Sequence, residues 1–242
     1  LEKLLDEHLE AGGDVVKAPA TVSSGRFRQI ELQHLHISRG EGSEIFTGGP
    51  IDLTIHTGAT IFITGGNGSG KTTFVNLLTG LYTADSGDIL VDGKRIGIFD
   101  MQGYRDMFAA VFADFHLFGK LYGIDAFDPA HGTTLVNEME LENKVTLNPG
   151  GFSTVDLSTG QRKRLALVAV QLENRPIIVL DEWAADQDPH FRAKFYENLL
   201  PRLKADGVTI IAITHDDKYF RHADRRLHME DGRITEISRE AA

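Results

Sequence analysis

The chain has 242 residues, of which 41% are hydrophobic and 25% charged, a composition that supports a folded core in one or two domains. It contains no cysteine, which excludes disulfides and thiolate metal sites. The formal net charge of −10 argues against nucleic acid as the main partner.

Residues 1–25 are predicted to lie outside the main domain, which spans 26–242. The segment LEKLLDEHLEA at 1–11 places its leucines on one helical face, and GGDVVKAPATVSSG at 12–25 has the aperiodic Gly, Pro and Ser content of a linker. No apolar run reaches membrane-spanning length, and the chain begins at Leu1 rather than Met. We therefore expect a fragment of a longer protein.

The main domain alternates predicted strands and helices. Up to residue 96, IELQHLHIS, PIDLTIHTG and ATIFITG predict strands, TTFVNLLTGLY predicts a helix, and GDILVDGKRI predicts a hairpin that turns at Asp92–Gly93. After residue 156, RKRLALVAVQLE and FRAKFYENLLPRL predict helices, PIIVLDE and VTIIAITHD predict buried strands, and RRLHMEDGRITEI predicts a closing hairpin. Buried strands that alternate with helices predict an α/β fold with a mostly parallel sheet covered on both faces.

The stretch between residues 101 and 156 differs in character. Its segment YRDMFAAVFADFHLFGKLYG, at 104–123, has helical spacing and is rich in phenylalanine. A stretch punctuated by glycine and asparagine follows it. We predict a helical subdomain at about 103–173 that is inserted into the α/β core.

A phosphate-binding loop is the most specific motif of the chain. ATIFITGGNGSGKTTF combines a strand, a glycine loop and a helix, with the full G-x-x-x-x-G-K-T pattern. The backbone N–H groups of such a loop face phosphate oxygens, Lys71 adds a positive charge, and the Thr72 hydroxyl can bind Mg²⁺. The predicted nucleotide-binding residues are Gly65, Gly66, Asn67, Gly68, Ser69, Gly70, Lys71, Thr72 and Thr73.

Three polar residues follow the ends of two predicted buried strands, where an α/β sheet presents its ligand crevice. Asp181 and Glu182 end PIIVLDE, and His215 follows the next buried strand. Asp181 would hold Mg²⁺ through water and Glu182 would polarise the attacking water. His215 would reach a γ-phosphate, although a single histidine in this position also fits a role in the core.

LSTGQRKRL, at 157–165, predicts a second helix start that suits an anion. Ser158 stands at the N-cap, Gln161 at the reciprocal capping-box position, and Gly160 lets a ligand approach the backbone. We expect the basic run at 162–164 to be the solvated first turn of this helix.

Taken in this order, these motifs resemble the ATP-binding cassette (ABC) ATPases over nearly all of residues 27–238. The resemblance implies a P-loop ABC-ATPase fold with an antiparallel β subdomain, and ATP and Mg²⁺ as cofactors. Lys71, Glu182 and His215, the switch histidine, would be catalytic, and Asp188 would belong to the loop that crosses the dimer interface. The signature motif would comprise Ser158, Thr159, Gly160 and Gln161.

In this family two cassettes pack head to tail, so each ATP lies between the phosphate loop of one copy and the signature helix of the other. The segments LSTGQRKRLAL, LDEWAADQDPHFR, FYENLLPRLK and HDDKYFRHAD further resemble the cassettes of bacterial exporters for cyclic peptides and siderophore precursors, of the syringomycin, pyoverdine and microcin type.

The resemblance implies an ATP-hydrolysing exporter domain on the cytoplasmic face of the bacterial inner membrane, with no nucleic-acid partner. Its partners would be a second copy and a membrane-spanning domain on the same full-length chain. Residues 1–25 would then be the end of a membrane-domain helix plus a linker. Phe115 and Phe118 are candidates for a groove that receives a membrane-domain helix, although aromatic residues at helical spacing more often form core.

The chain departs from the usual cassette at three places. Thr159 replaces a signature glycine, and Ala113 stands where a glutamine usually binds Mg²⁺. Asp114 or water would then complete the magnesium shell, unless Asp114 is only a solvated loop residue. The aromatic residue that stacks on adenine aligns near Arg39, whose guanidinium can stack on a base, with Phe46 as its rival and a solvated Arg39 as the third possibility.

Three other functions fit parts of this pattern. A soluble cassette acting on DNA or ribosomes usually has a coiled-coil insertion or a second cassette, for which this chain is too short. A P-loop kinase of a small substrate leaves the signature helix unexplained. A non-hydrolysing regulatory module is disfavoured because Lys71, Asp181, Glu182 and His215 are all present.

Overall fold

The computed structural model describes residues 27–40, 45–124 and 126–237. The prediction of a membrane-domain helix and linker at 1–25 lies outside the described residues.

The described strands and helices follow each other along the chain as in a P-loop α/β domain. The strands are β1 (Gln29–Arg39), β2 (Phe46–His56), β3 (Thr60–Thr64), β4 (Ser86–Val91), β5 (Lys94–Arg95), β6 (Phe108–Val111), β7 (Leu147–Asn148), β8 (Gly151–Phe152), β9 (Ile177–Asp181), β10 (Thr209–Ile213), β11 (Arg225–Glu230) and β12 (Arg233–Ile237). The helices are α1 (Lys71–Leu78), α2 (Met101–Arg105), α3 (Pro129–Glu138), α4 (Thr159–Leu172), α5 (Pro189–Lys194) and α6 (Leu200–Ala205). A π-helical turn at Phe195–Leu199 joins α5 to α6, so the predicted amphipathic helix is one continuous segment.

A six-stranded sheet in the order β12-β11-β3-β10-β9-β6 forms the centre of the molecule. All its neighbours pair in parallel except the β11–β12 hairpin, which confirms the predicted mostly parallel sheet. Alternate residues of each central strand enter two separate cores, because successive side chains point to opposite faces. Phe62 packs on the side of α4 and α5, whereas Ile61 and Ile63 pack on the side of α1 and the second sheet.

A four-stranded antiparallel sheet, in the order β2-β1-β4-β5, covers the second core. Its β4–β5 hairpin turns at Asp92 and Gly93, whose φ values of 51° and 80° are those of a two-residue hairpin loop. Asp92 also accepts the backbone N–H groups of Arg28 and Gln29, which ties the start of β1 to this turn. The predicted hairpin and antiparallel subdomain are therefore confirmed.

The helix predicted from 104–123 is wrong. Residues 108–111 form β6, which pairs in parallel with β9 at the edge of the main sheet. Phe-Ala-Ala-Val is a short apolar run whose period fits a strand as well as a helix, and pairing with β9 decides between them. The range of about 103–173 predicted for the helical subdomain thus includes this strand as well as α3 and α4, and its boundaries stay a prediction.

Among the described residues, no helix combines the length and the apolar character needed to cross a bilayer.

Candidate functional site

The glycine loop between β3 and α1 presents a positive charge and hydrogen-bond donors that suit an anion. Lys71 is 7% exposed, and its ammonium donates to the carbonyl oxygens of Gly65 and Gly66 at 2.9 and 2.8 Å. The buried Ser69 hydroxyl has no hydrogen-bond partner within the described structure. A buried hydroxyl without a partner is costly, and a phosphate oxygen is the acceptor that this loop is built to receive.

Phe46 forms one wall of the cavity at this loop, and Arg39 does not line it. A Cβ at Gly70, where φ is 100°, would lie 2.2 Å from the Phe46 ring, so only glycine lets the loop approach the ring this closely. The cavity of about 390 Å³ is lined by Phe46, Asn67, Gly68, Gly70, Lys71, Thr72, Thr73 and Glu182. The Arg39 guanidinium instead stacks on the Tyr82 ring, 4.5 Å from its centroid.

Thr72 and Asp181 lie together, as a magnesium site requires. The Thr72 hydroxyl donates to Oδ2 of Asp181 at 3.2 Å, and Asp181 is 1% exposed. Burial raises the pKa of Asp181, while the Thr72 hydroxyl and the backbone N–H of Ala113 act in the opposite direction. A desolvated carboxylate beside a hydroxyl is a set of hard oxygen donors that fits Mg²⁺. Asp114, next along the chain, is exposed, and its role as a ligand stays a prediction.

Glu182 and His215 are brought together by the register of β9 and β10. Asp181 pairs with Ile213, so the residues that follow the two strands lie side by side. Nε2 of His215 is 3.5 Å from Oε1 of Glu182. Glu182 adopts the left-handed conformation, with φ of 49° and ψ of 32°. This conformation costs a non-glycine residue roughly 1–2 kcal/mol, so the surrounding structure must support it.

The helix start at Ser158 is formed as predicted, but Gly160 is also needed for packing within the same chain. Ser158 caps α4 in a capping box with Gln161, in which both hydrogen bonds measure 3.4 Å. A Cβ at Gly160 would lie 2.6 Å from the carbonyl oxygen of Asp186, so the start of α4 packs on the backbone of the loop after β9.

The prediction that residues 162–164 form a solvated turn is wrong for two of the three. Arg162 is exposed, whereas Lys163 and Arg164 are 3% and 9% exposed. Lys163 pairs with Asp186 at 2.7 Å. Sequence reasoning missed these contacts, and the available signal was the acidic run DQD in the segment LDEWAADQDP, which supplies the counter-charges.

Asp188 is the N-cap of α5 and a partner of the signature helix. Its carboxylate accepts the Phe191 N–H at 2.9 Å and a hydrogen bond from Arg164. The Phe191 N–H has the largest effect on the pKa of Asp188 and lowers it. Burial opposes this shift, and the charge and hydrogen bond of Arg164 add to the lowering. Arg164 also bonds Gln187 at 2.8 Å and stacks on the Phe191 ring, so the loop that ends at Asp188 is fastened to α4.

Comparisons with known proteins show the family to which the chain is similar. The family model of the ABC transporter matches residues 49–185. The chain is 49% identical over 210 residues to the ATP-binding protein SyrD of Pseudomonas syringae pv. syringae, covering 85% of this chain and 37% of SyrD. It is 31% identical over 245 residues to an ATP-dependent lipid A-core flippase of Polaromonas sp., covering 94% of this chain and 41% of the flippase. The chain thus spans about two fifths of the length of these curated relatives.

Two solved structures share the fold. A dimeric structure of the ATP-binding cassette MJ0796 in a post-hydrolysis state, bound to ADP and Pi, has a TM-score of 0.73 at 23% identity and covers 88% of this chain and 100% of that one. A bacterial Atm1-family ABC exporter with ATP bound has a TM-score of 0.75 at 24% identity and covers 96% of this chain and 42% of that one.

Proposed function

Because this chain belongs to the ABC transporter family, we propose that it is the ATP-hydrolysing, nucleotide-binding domain of an exporter. The loop at 65–73 binds the phosphates of ATP, with Lys71 as the cation and Ser69 as a hydroxyl donor. Phe46, rather than Arg39, stacks on adenine, since Phe46 lines the cavity at the loop. Thr72 and Asp181 hold Mg²⁺, which neutralises phosphate charge when bound.

Glu182 and His215 carry the hydrolytic step in this proposal. The Glu182 carboxylate accepts a hydrogen bond from the attacking water and orients it towards the γ-phosphate. His215, whose Nε2 is 3.5 Å from Oε1 of Glu182, holds the γ-phosphate in this proposal. The side chains of Glu182 and His215 are 40% and 51% exposed, so in a single copy of the chain they are open to water.

The observation that supports a head-to-tail dimer is the position of the signature helix. Among the described residues, Ser158, Thr159, Gly160 and Gln161 do not line the cavity of their own phosphate loop. Their helix start is nevertheless capped and carries the positive end of a helix dipole. We therefore assign these residues, together with Asp188, to the ATP of a second copy, which closes both sites at once.

Two variants test this assignment. Glu182→Gln, mixed with ATP and Mg²⁺ at high protein concentration, should form a dimer that light scattering detects, while the nucleotide-free protein stays monomeric. Ser158→Ala should lower ATP turnover by tenfold or more, because a hydrogen bond to a charged group contributes about 1.5–3 kcal/mol. Asp128→Ala is the matched control, since it removes the N-cap of α3 away from the site. A monomer that hydrolyses ATP at the wild-type rate without Ser158 would refute the proposal.

A groove beside α4 supports coupling to a membrane-spanning domain. It has a volume of about 300 Å³, and Phe115 and Phe118 are among its lining residues. Phe115 packs against the core, whereas the Phe118 ring meets Tyr122 edge to face at 5.4 Å. We propose that Phe118 contacts a helix of the membrane domain, at the cytoplasmic face of the bacterial inner membrane.

The proposed cargo is a cyclic peptide or siderophore-type molecule. The 49% identity to SyrD and the motifs shared with exporters of this type favour it over the lipid cargo named for the flippase at 31% identity. The full-length protein in lipid nanodiscs should show ATPase stimulation by a cyclic lipopeptide or a siderophore precursor. Stimulation by lipid A core alone would refute this choice of cargo and leave the ATPase assignment intact.

A further inference from the structure

Lys163 is a buried cation inside the signature helix that contacts the loop beginning at Glu182. Its side chain is 4% exposed, although it lies one turn from the exposed start of α4. The ammonium donates to the backbone carbonyl oxygen of Glu182 at 2.8 Å and pairs with the Asp186 carboxylate at 2.7 Å. The Trp183 indole N–H in turn donates to the Lys163 carbonyl at 2.7 Å, so α4 and this loop are joined in both directions.

The backbone of Glu182 is held from two sides. Its N–H donates to the Ile213 carbonyl at 3.1 Å, and its carbonyl accepts the hydrogen bond from Lys163. These bonds surround a residue in the left-handed conformation, which a non-glycine side chain adopts only when its neighbours impose it. This backbone conformation sets the direction of the Glu182 Cα–Cβ bond, and with it the region that the carboxylate can reach.

We propose that Lys163 is a positioning residue for ATP hydrolysis, which fixes the backbone of Glu182 so that the carboxylate faces the attacking water. This inference rests on the proposed role of Glu182. Lys163 is not among the residues that line the cavity at the phosphate loop, so it would act through the backbone of Glu182. A lysine suits the task because it places three N–H donors on a long stem, and here they serve a carbonyl and a carboxylate at once.

The test separates turnover from ATP binding in the 242-residue chain. Lys163→Met keeps the length and apolar stem but lacks the donors. We expect kcat at saturating ATP to fall at least tenfold, whereas the Kd for ATP and the KM stay within about threefold of wild type. Arg162→Met is the matched control on the same helical turn, where the side chain is exposed, and should leave kcat within twofold. Lys163→Arg, which keeps charged donors, should restore part of the lost kcat.

Circular dichroism and thermal melting show whether each variant folds. If Lys163→Met does not fold, Lys163→Gln, which keeps an N–H donor but not the charge, provides the same comparison and should have a kcat below that of wild type. A variant that melts earlier but hydrolyses ATP with wild-type kcat would overturn the inference and assign Lys163 to stability alone. Glu182→Gln is run alongside, because wild-type turnover in that variant would refute the proposed role of Glu182 instead.

Discussion

Gly160 offers a direct test of whether the signature helix is shaped by its own chain. Replacing it with alanine adds one methyl group at the start of α4, where the backbone adopts an ordinary conformation that alanine tolerates. The new Cβ would lie 2.6 Å from the Asp186 carbonyl oxygen, whereas ordinary van der Waals contact begins at 3.4 Å. The helix start or the loop must therefore move apart.

The expected size of the effect follows from two opposed contributions. Overpacking of this kind costs about 1–3 kcal/mol. Alanine gains up to about 1 kcal/mol over glycine through helix propensity, and less in the first turn. We expect Gly160→Ala to lose roughly 1–2 kcal/mol of unfolding free energy, which lowers the Tm of a chain of this size by about 2–8 °C.

The assay is thermal unfolding of the nucleotide-free chain at low protein concentration, where a second copy cannot contribute. Gly97→Ala is the control, because the nearest atom to its new Cβ is a carboxylate oxygen at 3.7 Å. We expect this control to stay within about 0.5 kcal/mol of wild type. A Gly160→Ala protein that melts at or above the wild-type temperature would refute the reasoning and leave the partner's nucleotide as the reason for glycine at this position.

Three further predictions concern the site. Phe46→Ala should raise the Kd for ATP about tenfold or more, since stacking on a base contributes about 1–3 kcal/mol. Arg39→Ala should leave the Kd unchanged when both variants are measured by fluorescence titration. A raised Kd for Arg39→Ala and an unchanged Kd for Phe46→Ala would assign the stacking to Arg39 instead. Asp188→Ala should cost about 1 kcal/mol of stability at pH 7 through loss of the α5 cap. The folded-state pKa of Asp188 lies below 3.8, so this contribution is present above pH 3.8 and is lost as the pH falls through the lowered pKa. The melting temperatures of wild type and Asp188→Ala should therefore converge below pH 3.8. Asp114→Ala should raise the Mg²⁺ concentration that gives half-maximal hydrolysis; an unchanged requirement would assign that coordination position to water.

Most of the fold could be predicted from local patterns. The glycine loop is recognisable because the 16 residues ATIFITGGNGSGKTTF contain its glycine spacing, its lysine and parts of the flanking strand and helix. The strands β9 and β10 are apolar on both faces, which is typical of the centre of a parallel sheet. β6 could not be separated from a helix in this way, because its four residues become a strand only through pairing with β9.

By itself, the sequence predicted which residues would carry the chemistry and determined the order in which strands, loops and helices present them. Only the tertiary structure decided that Lys163 and Arg164 are buried and that Gly160 packs on Asp186. The physical reason is that these contacts join α4 to the loop after β9, two segments that β9 separates in the sequence and that only folding brings together. Helical spacing specifies which face of α4 a residue occupies, but the charge that it meets there depends on how the two segments pack.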